Sequence, residues 1–188
     1  EITEFNRKKY ELEEVFVEDF DGLYDNLRQI AVLTGNEEEA EELILKLQDR
    51  VGAVDAALAE VEEIPLVFYE LDATDPTNPW TTGSGTFISY IIDKAKGENL
   101  GDVLDGDWAQ ISSEELVAQD PDVILLADAM YGVTVESVVE RAGWEEITAV
   151  AEGERYPFDP SILSVPGPRL VDGFEEMAAI LHPDLMEE

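Results

Sequence analysis

The sequence predicts a three-layer α/β fold, in which a Rossmann-like C-terminal lobe follows a long helix. Apolar residues recur at helical spacing from Ala40 to Val61, and the only breaker among them is Gly52. After Pro65, short apolar runs that are typical of buried strands alternate with helical patterns as far as residue 182. This alternation is typical of a mostly parallel sheet that is covered by helices on both faces.

The N-terminal part predicts one short strand and one helix. Residues 1–14 are mostly charged, and the apolar run 15–17 predicts a strand. Asp21 is the predicted N-cap of a helix that ends near Leu33. The predicted buried stripe of this helix consists of Leu23, Leu27, Ile30 and Val32 or Leu33.

The second helix is predicted to be the longest in the chain. Gly35 suits the left-handed position after the first helix, and Asn36 is a good N-cap for the second. Its predicted buried positions are Ala40, Leu43, Ile44, Leu47, Val51, Val54, Leu58 and Val61. Because the pattern stops at Pro65, the helix should have roughly 25 residues and a length of about 37 Å.

Beyond this helix the predicted elements are shorter. The predicted strands lie at 66–71, 123–127 and 155–158, and the predicted helices lie near 83–92, 112–120, 135–141 and 168–181. Ser112 and Glu115 have the capping-box pattern at the start of one helix, and Pro121 follows its end. Gly83-Ser84-Gly85 is interpreted as a tight helix entry rather than an anion site, because it lacks the Lys and the spacing of a phosphate-binding loop.

The charge of the chain is extreme. There are 45 Asp and Glu residues against 11 Lys and Arg, so the net charge is −34 and the isoelectric point is about 4.1. Such a surface repels phosphate groups, which excludes nucleic acid as an expected partner. It suits a cationic partner or high salt, where the self-repulsion is screened. A halophilic source is one interpretation, and an ordinary acidic secreted or thermophilic protein is the other.

The residue types that most catalytic schemes require are scarce. The chain has no Cys, which excludes disulfides and thiolate chemistry, and its single histidine, His182, is expected to be structural. No Ser-His-Asp spacing is recognisable, so neither a catalytic residue nor a cofactor is predicted. No specific metal site is predicted either, because acidic pairs carry little information in so acidic a chain. A surface Ca²⁺ or Mg²⁺ site without a sequence-specific loop stays open as an alternative. No apolar run reaches the about 18 residues of a membrane-spanning helix.

Five segments, in the same order, resemble the substrate-binding proteins of ABC importers for iron-siderophores, haem and cobalamin. They are LTGNE at 33–37; TTGSGTFI at 81–88 with GEN at 97–99; ISSEEL at 111–116 with DPDVI at 120–124; GW at 143–144 with AV at 149–150 and GERY at 153–156; and SVPGPRLVDGF at 164–174. One departure is Lys96, which stands where the family has the first Gly of a GG-x-N turn.

The resemblance implies a domain organisation. Members of this family have two α/β lobes that are joined by a long helix, with the ligand between the lobes. By this resemblance, residues 1–35 are a remnant of the N-terminal lobe, 36–63 the interlobe helix, and 64–188 the C-terminal lobe. The chain is too short for both lobes, shows no signal peptide and does not begin with Met. A leader and most of the first lobe are therefore expected to be missing.

Candidate ligand contacts follow from topology and resemblance together. Ligands of open α/β sheets collect at the carboxyl ends of the strands, which places the loops 72–82, 128–133 and 159–167 at the cleft. The candidate ligand-binding residues are Asp72, Trp80, Thr81, Thr82, Tyr131 and Arg169. Trp80 can instead pack its own Pro-rich loop, and Arg169 can instead bond loop carbonyls. Trp108 and Trp144 are expected in the core or at a hinge.

The resemblance also implies the function. It identifies a solute-binding component that captures a ferric siderophore, haem or cobalamin and delivers it to an ABC permease, which would contact Glu114 of the S-x-E-x-L segment. Such a protein is a periplasmic or extracellular monomer, in some cases a lipoprotein. The alternatives are an enzyme or chelatase-like subunit with the same two-lobe plan, and a stand-alone interaction or structural domain.

Overall fold

In the computed structural model, residues 17–186 are described, and they form a parallel sheet between two layers of helices. The helices are α1 (Phe20–Thr34), α2 (Glu37–Ala57), α3 (Phe87–Lys94), α4 (Ser113–Gln119), α5 (Val135–Val139), α6 (Thr148–Glu152), α7 (Leu170–Leu181) and α8 (Pro183–Met186). The strands are β1 (Leu66–Glu70), β2 (Trp80–Thr82), β3 (Glu98–Asn99), β4 (Trp108–Gln110), β5 (Val123–Leu126) and β6 (Arg155–Pro157). Single 3-10 turns lie at Leu100–Val103, Ala129–Tyr131, Trp144–Glu146 and Pro160–Ile162.

The main sheet has four parallel strands in the order β3-β1-β5-β6. In β1, Val67 and Tyr69 point to one face and Phe68 to the other, and all three are fully buried. Burial on both faces explains why strands such as β1 and β5 are continuous apolar runs rather than alternating ones. The strands predicted at 66–71, 123–127 and 155–158 and the α/β class are confirmed, although β3 is too short to be visible in the sequence.

Each face of the sheet has its own hydrophobic core. Helices α1, α2, α3 and α7 cover the face of Val67 and Tyr69. Helices α4, α5 and α6 cover the face of Phe68, where Trp144 is fully enclosed and contacts the Phe68 ring edge-on. The prediction of Trp144 as a core residue is therefore confirmed, and the three predicted layers are present.

The long helix α2 is shorter than predicted. It has 21 residues and ends at Ala57, after which the chain turns and runs extended into β1. Val61 is thus outside the helix, because the approach to Pro65 disfavours helical geometry. Arg50 of α2 donates to Glu175 at 2.8 Å and to Asp172 at 2.6 Å, which joins α2 to α7.

Helix α1 begins two residues earlier than predicted. Asp19 is the N-cap, because its Oδ1 accepts a hydrogen bond from the Gly22 amide at 2.8 Å, and Asp21 lies in the first turn. Gly35 has φ 71°, as predicted for the left-handed position. Asn36 is the N-cap residue of α2, as predicted, but its side chain makes no capping hydrogen bond, because its amide donates to Thr34 O. The predicted strand at 15–17 falls outside the described residues except for Val17, which is not in a strand.

The buried stripe of α1 also differs from the prediction. Phe20, Leu23, Tyr24 and Ala31 are buried, whereas Ile30, Val32 and Leu33 are exposed. The first turn of α1 packs on the core, where the Phe20 ring contacts the rings of Phe87, Tyr90 and Phe174. Since the last turn of α1 buries only Ala31, the apolar residues around it remain on the surface.

Candidate ligand-binding cleft

Two depressions lie at the carboxyl edge of the sheet and meet at Leu71, immediately after β1. The larger has a volume of about 960 Å³, and the smaller about 560 Å³. The larger lies between the start of α3, the β4 strand and the Pro-Gly-Pro segment before α7. The smaller lies between the loops that follow β1 and β5. This is the edge at which the topology predicts ligand binding.

The short strands β2 and β4 form an antiparallel ribbon beside this edge. Trp80 pairs with Gln110 and Trp108 pairs with Thr82, so both tryptophans lie on the same face of the ribbon. Trp80 is 40% exposed and Trp108 is 51% exposed, and Trp108 lines the larger depression. Trp108 is therefore at the surface and not in the core, which was one of the two placements expected for it. No alternating pattern marks so short a ribbon, so sequence reasoning had no signal for this placement.

Thr81 and Thr82 are fully buried, which contradicts their prediction as ligand contacts. The Thr82 hydroxyl shares a hydrogen bond of 2.5 Å with the Thr86 hydroxyl, the N-cap of α3. The carbonyl of Thr82 accepts from the Asn99 side-chain amide at 3.0 Å. These residues were predicted in a loop but lie in β2, where their side chains point to opposite faces and both are covered by the protein. Thr82 supports the ribbon through its two hydrogen bonds.

The start of α3 is a tight chain entry. A Cβ at Gly83 would lie 2.1 Å from the carbonyl oxygen of Gly106, and one at Gly85 would lie 2.0 Å from Asp107 Oδ1. Only glycine permits the backbone contact at Gly83, whereas a shift of the Asp107 side chain could relieve the contact at Gly85. The close contact at Gly83 agrees with the interpretation of Gly83-Ser84-Gly85 as a packing motif. The helix itself begins after Thr86 rather than at Gly83.

Asp72 and Tyr131 line the smaller depression from opposite sides. Asp72 Oδ1 accepts a hydrogen bond from the Thr74 amide at 2.7 Å, and hydrogen bonds from Thr74 hold the pKa of Asp72 below its usual value. The backbone of Asp72 bridges to Trp80, whose amide donates to Asp72 O at 2.8 Å. Tyr131 is 81% exposed. Both residues are accessible, and their contact with a ligand remains a prediction.

Arg169 is exposed at the residue before α7. Within residues 17–186, its side chain makes no hydrogen bond to the Pro-Gly-Pro carbonyls, so the structural alternative considered for this residue gains no support. The larger depression itself is lined by carboxylates, namely Glu18, Asp93, Asp102 and Asp107. Arg169 lines neither depression, and its contact with a ligand remains a prediction.

A buried charge cluster beneath the rim was not predicted. Glu70 is fully buried. Arg141 donates hydrogen bonds to both carboxylate oxygens of Glu70, and the bond from Arg141 Nη2 is 2.8 Å long. Burial raises the pKa of Glu70 to about 7, against the opposing effect of Arg141. Asp128 lies beside Glu70 and is also buried. The sequence signal was a carboxylate at the end of each of two apolar runs, 66–70 and 123–128.

Glu114 is exposed in the first turn of α4, which meets the requirement for a docking residue. Ser112 is the N-cap, as predicted, because its hydroxyl accepts from the Glu115 amide at 3.2 Å. His182 is structural, as predicted: its Nε2 contacts the carbonyl oxygens of Ala95 and Lys96 at 3.0 and 3.2 Å. Both carbonyls belong to the turn that leads into β3.

Two further searches concern only the described part of the chain. No group of three or more Asp, Glu or His side chains there is arranged to hold a metal ion. Between residues 17 and 186, no helix has the length and apolarity needed to cross a membrane.

Comparison with known proteins decides the family. A model of the periplasmic binding protein family matches residues 7–162. The chain belongs to this family. The match includes both tryptophans of the ribbon, Glu114 and the buried cluster, and it ends before the Pro-Gly-Pro segment.

Curated relatives and solved structures agree with this assignment. An uncharacterized ABC transporter substrate-binding lipoprotein of Bacillus subtilis, YvrC, is 31% identical over 90% of this chain and 52% of its own length. A cobalamin-binding protein of Halobacterium salinarum is 29% identical over 86% of this chain and 44% of its own length. The periplasmic vitamin B12 binding protein BtuF of Vibrio cholerae has the same fold, with a TM-score of 0.76 at 19% identity over 93% of this chain and 65% of that one. The chain spans about half the length of the curated relatives it matches.

Proposed function

We propose that the protein is the solute-binding component of an ABC importer and captures a ferric siderophore, haem or cobalamin for delivery to a permease. The observation that carries the proposal is the pair of exposed tryptophans, Trp80 and Trp108, on one face of a ribbon beside two adjoining depressions. Aromatic faces of this kind suit flat macrocycles and catecholates. Relatives that are named as a substrate-binding lipoprotein and as a cobalamin-binding protein support the same function.

We further propose that the described carboxyl edge is one side of a two-lobed cleft. In this division, residues 1–35 are a remnant of the N-terminal lobe, 36–63 are the interlobe helix, and 64–188 are the C-terminal lobe. The ribbon, Asp72, Tyr131 and Arg169 would then face a second lobe across the ligand. The protein would act as a monomer outside the cytoplasm, with the lipoprotein relative as support for a membrane anchor.

The docking surface is proposed at the first turn of α4. Glu114 is exposed there and adds its charge to a chain with a net charge of −34, which suits an arginine-bearing permease surface. A charge pair of this kind mainly sets the docking register and the association rate. The alternative of an enzyme or chelatase-like subunit gains no support from the relatives, whose names describe transport and binding.

The experiment is a binding titration of the full-length protein with cyanocobalamin, haemin and a ferric hydroxamate, read by quenching of tryptophan fluorescence. One of the three should bind, and Trp108→Ala should weaken that binding by about tenfold through loss of ring contact. The matched control is Leu45→Ala, which removes an exposed apolar side chain from α2. Failure of all three probes to bind, or equal affinities for Trp108→Ala and Leu45→Ala, would contradict the proposal.

A further inference from the structure

A charge cluster lies under the smaller depression and is not among the predicted ligand contacts. Glu70 ends β1, Asp128 follows β5, and Arg141 follows α5. Arg141 forms a two-pronged ion pair with Glu70 and lies over the Trp144 ring, 4.4 Å from its centre. Glu70 has no exposed surface, whereas Asp128 is 4% exposed and borders the smaller depression.

Asp128 connects the two loops that form the depression. Its Oδ2 accepts a hydrogen bond from the backbone amide of Ala73, in the loop after β1, at 2.9 Å. Its Oδ1 is buried without a hydrogen-bond partner among the described residues, and the charge of Asp128 raises the pKa of the neighbouring Glu70 carboxyl. Two neighbouring buried carboxyl groups resist carrying two negative charges, because burial and mutual repulsion both oppose the second charge.

The charges around the pair come from each element packed against it. β1 supplies Glu70, the segment after β5 supplies Asp128, the segment after α5 supplies Arg141, and the rim loop supplies Asp72. Burial raises the pKa of both Glu70 and Asp128, whereas Arg141 lowers it. A single guanidinium thus faces two buried carboxyl groups, and this arrangement favours retention of one proton by the pair.

We infer that Glu70, Asp128 and Arg141 are positioning residues for ligand binding, because they set the separation between the loop of Asp72 and the loop of Tyr131. The inference rests on the proposed function of the cleft and adds its regulation. When the retained proton leaves, two carboxylates face one guanidinium in a buried site, and their repulsion moves Asp128 together with the Ala73 loop. Ligand affinity should therefore fall as the pH rises through about 7.

The same two strands provide a matched control at their opposite ends. Asp122 Oδ2 accepts a hydrogen bond from the Leu66 amide at 2.7 Å, at the amino ends of β5 and β1. Asp122→Ala and Asp128→Ala therefore remove the same kind of bond between the same strands. The two substitutions differ in their distance from the cleft. A general loss of stability would affect both variants, whereas displacement of the Ala73 loop would affect only Asp128→Ala.

The test uses the full-length protein and two measurements, namely amide hydrogen exchange of residues 73–79 and affinity for cyanocobalamin and haemin at pH 6 and 8. Asp128→Ala should speed exchange in 73–79 and weaken binding by about tenfold. Asp122→Ala should leave both within about twofold. Asp128→Asn keeps an oxygen acceptor for Ala73 but cannot gain charge, so its affinity should no longer fall between pH 6 and 8.

Equal effects of Asp128→Ala and Asp122→Ala on exchange and affinity would overturn the inference. If Asp128→Ala does not fold, the inference is tested by the ligand affinity of Asp128→Asn at pH 6 and 8. A fall in affinity equal to that of the unmodified protein overturns the inference. If the unmodified protein binds neither probe and also does not bind the ferric hydroxamate, the proposed function is contradicted. The exchange of 73–79 then still tests the connection between the loops, and equal exchange in the two alanine variants overturns it.

Discussion

Ser113 donates a hydrogen bond from its hydroxyl to the carbonyl oxygen of Pro76 at 2.7 Å. The Ser113 amide also donates to Thr77 O at 2.9 Å, and the Trp144 indole donates to the Ser113 hydroxyl at 3.0 Å. The first turn of α4 is thereby bound both to the rim loop and to the core. Glu114, the next residue, consequently lies in a helical turn that these hydrogen bonds hold in place.

Glu114→Ala should leave ligand affinity and thermal stability nearly unchanged and should reduce transporter-stimulated ATP hydrolysis. The reason is that an exposed acid in a first turn contributes only about 0.3–1 kcal/mol through the helix dipole, whereas a charge pair at an interface sets the docking rate. The measurement is ATP hydrolysis by the reconstituted permease with ligand-loaded binding protein, at several concentrations.

The control for this prediction is Glu136→Ala. Glu136 is the second residue of α5, as Glu114 is of α4, so both substitutions remove the same helix-dipole interaction. Equal ATP hydrolysis with the two variants would remove the docking assignment for Glu114.

Lys96→Gly should stabilise the protein by about 0.5–1 kcal/mol. Lys96 has φ 59°, a left-handed conformation that costs a residue with a Cβ about 1 kcal/mol or more and costs glycine nothing. Urea denaturation measures the change. Lys96→Ala is the control, because it removes the same charge and keeps the strain; a gain of equal size in both variants would assign the effect to charge instead.

Glu70→Gln should change how stability depends on pH. The pKa of Glu70 is raised from 4.5 to about 7 by burial, so between these values the folded protein holds a proton that the unfolded chain has released. The free energy of unfolding therefore falls as the pH rises through this window, by on the order of 3 kcal/mol for Glu70. Glu70→Gln should lack this loss.

The measurement is the free energy of unfolding of both proteins at pH 5 and pH 8 in molar NaCl, which screens the general repulsion. The free energy of unfolding of Glu70→Gln minus that of the unmodified protein should be larger at pH 8 than at pH 5. A difference that does not vary with pH would show that Glu70 is ionised throughout.

The melting temperature should climb as NaCl is raised from low to molar concentration. The net charge of −34 produces repulsion that salt screens, and the Debye length shortens from about 10 Å at 0.1 M to about 3 Å at 1 M. Exposed ion pairs such as Arg28–Glu41 weaken under the same conditions, but each contributes little. A flat or falling curve would contradict the halophilic interpretation.

The strands and the layers were predictable because a strand that is buried on both faces is a continuous apolar run in the sequence. β1 and β5 lie in the middle of the sheet, so every position is apolar until the carboxylates at their ends. The α1–α2 step was predictable for a similar reason, since Gly35 supplies a conformation that few other residues adopt. Helix caps were less certain, because Asp19 and Asp21 are equally good candidates and only packing of Phe20 decides between them.

The candidate cleft was only half predictable. Its edge follows from topology, and Asp72, Trp80, Tyr131 and Arg169 are accessible there. The burial of Thr82 and the exposure of Trp108 depend on one pairing between strands of three residues, which leaves no periodic signal. The pairing of Glu70 with Arg141 joins positions 71 residues apart, and no local pattern records such a contact.

Arg50 and Glu175 are separated by 125 positions in the chain, yet they form one contact between α2 and α7. During synthesis, the inner face of α2 therefore emerges from the ribosome long before the helix that covers it. Leu47 and Val51 belong to a core that also contains residues of α7, so that core is incomplete until α7 has been made. Chains that stop before Asp172 should accordingly be recognised as incomplete and degraded.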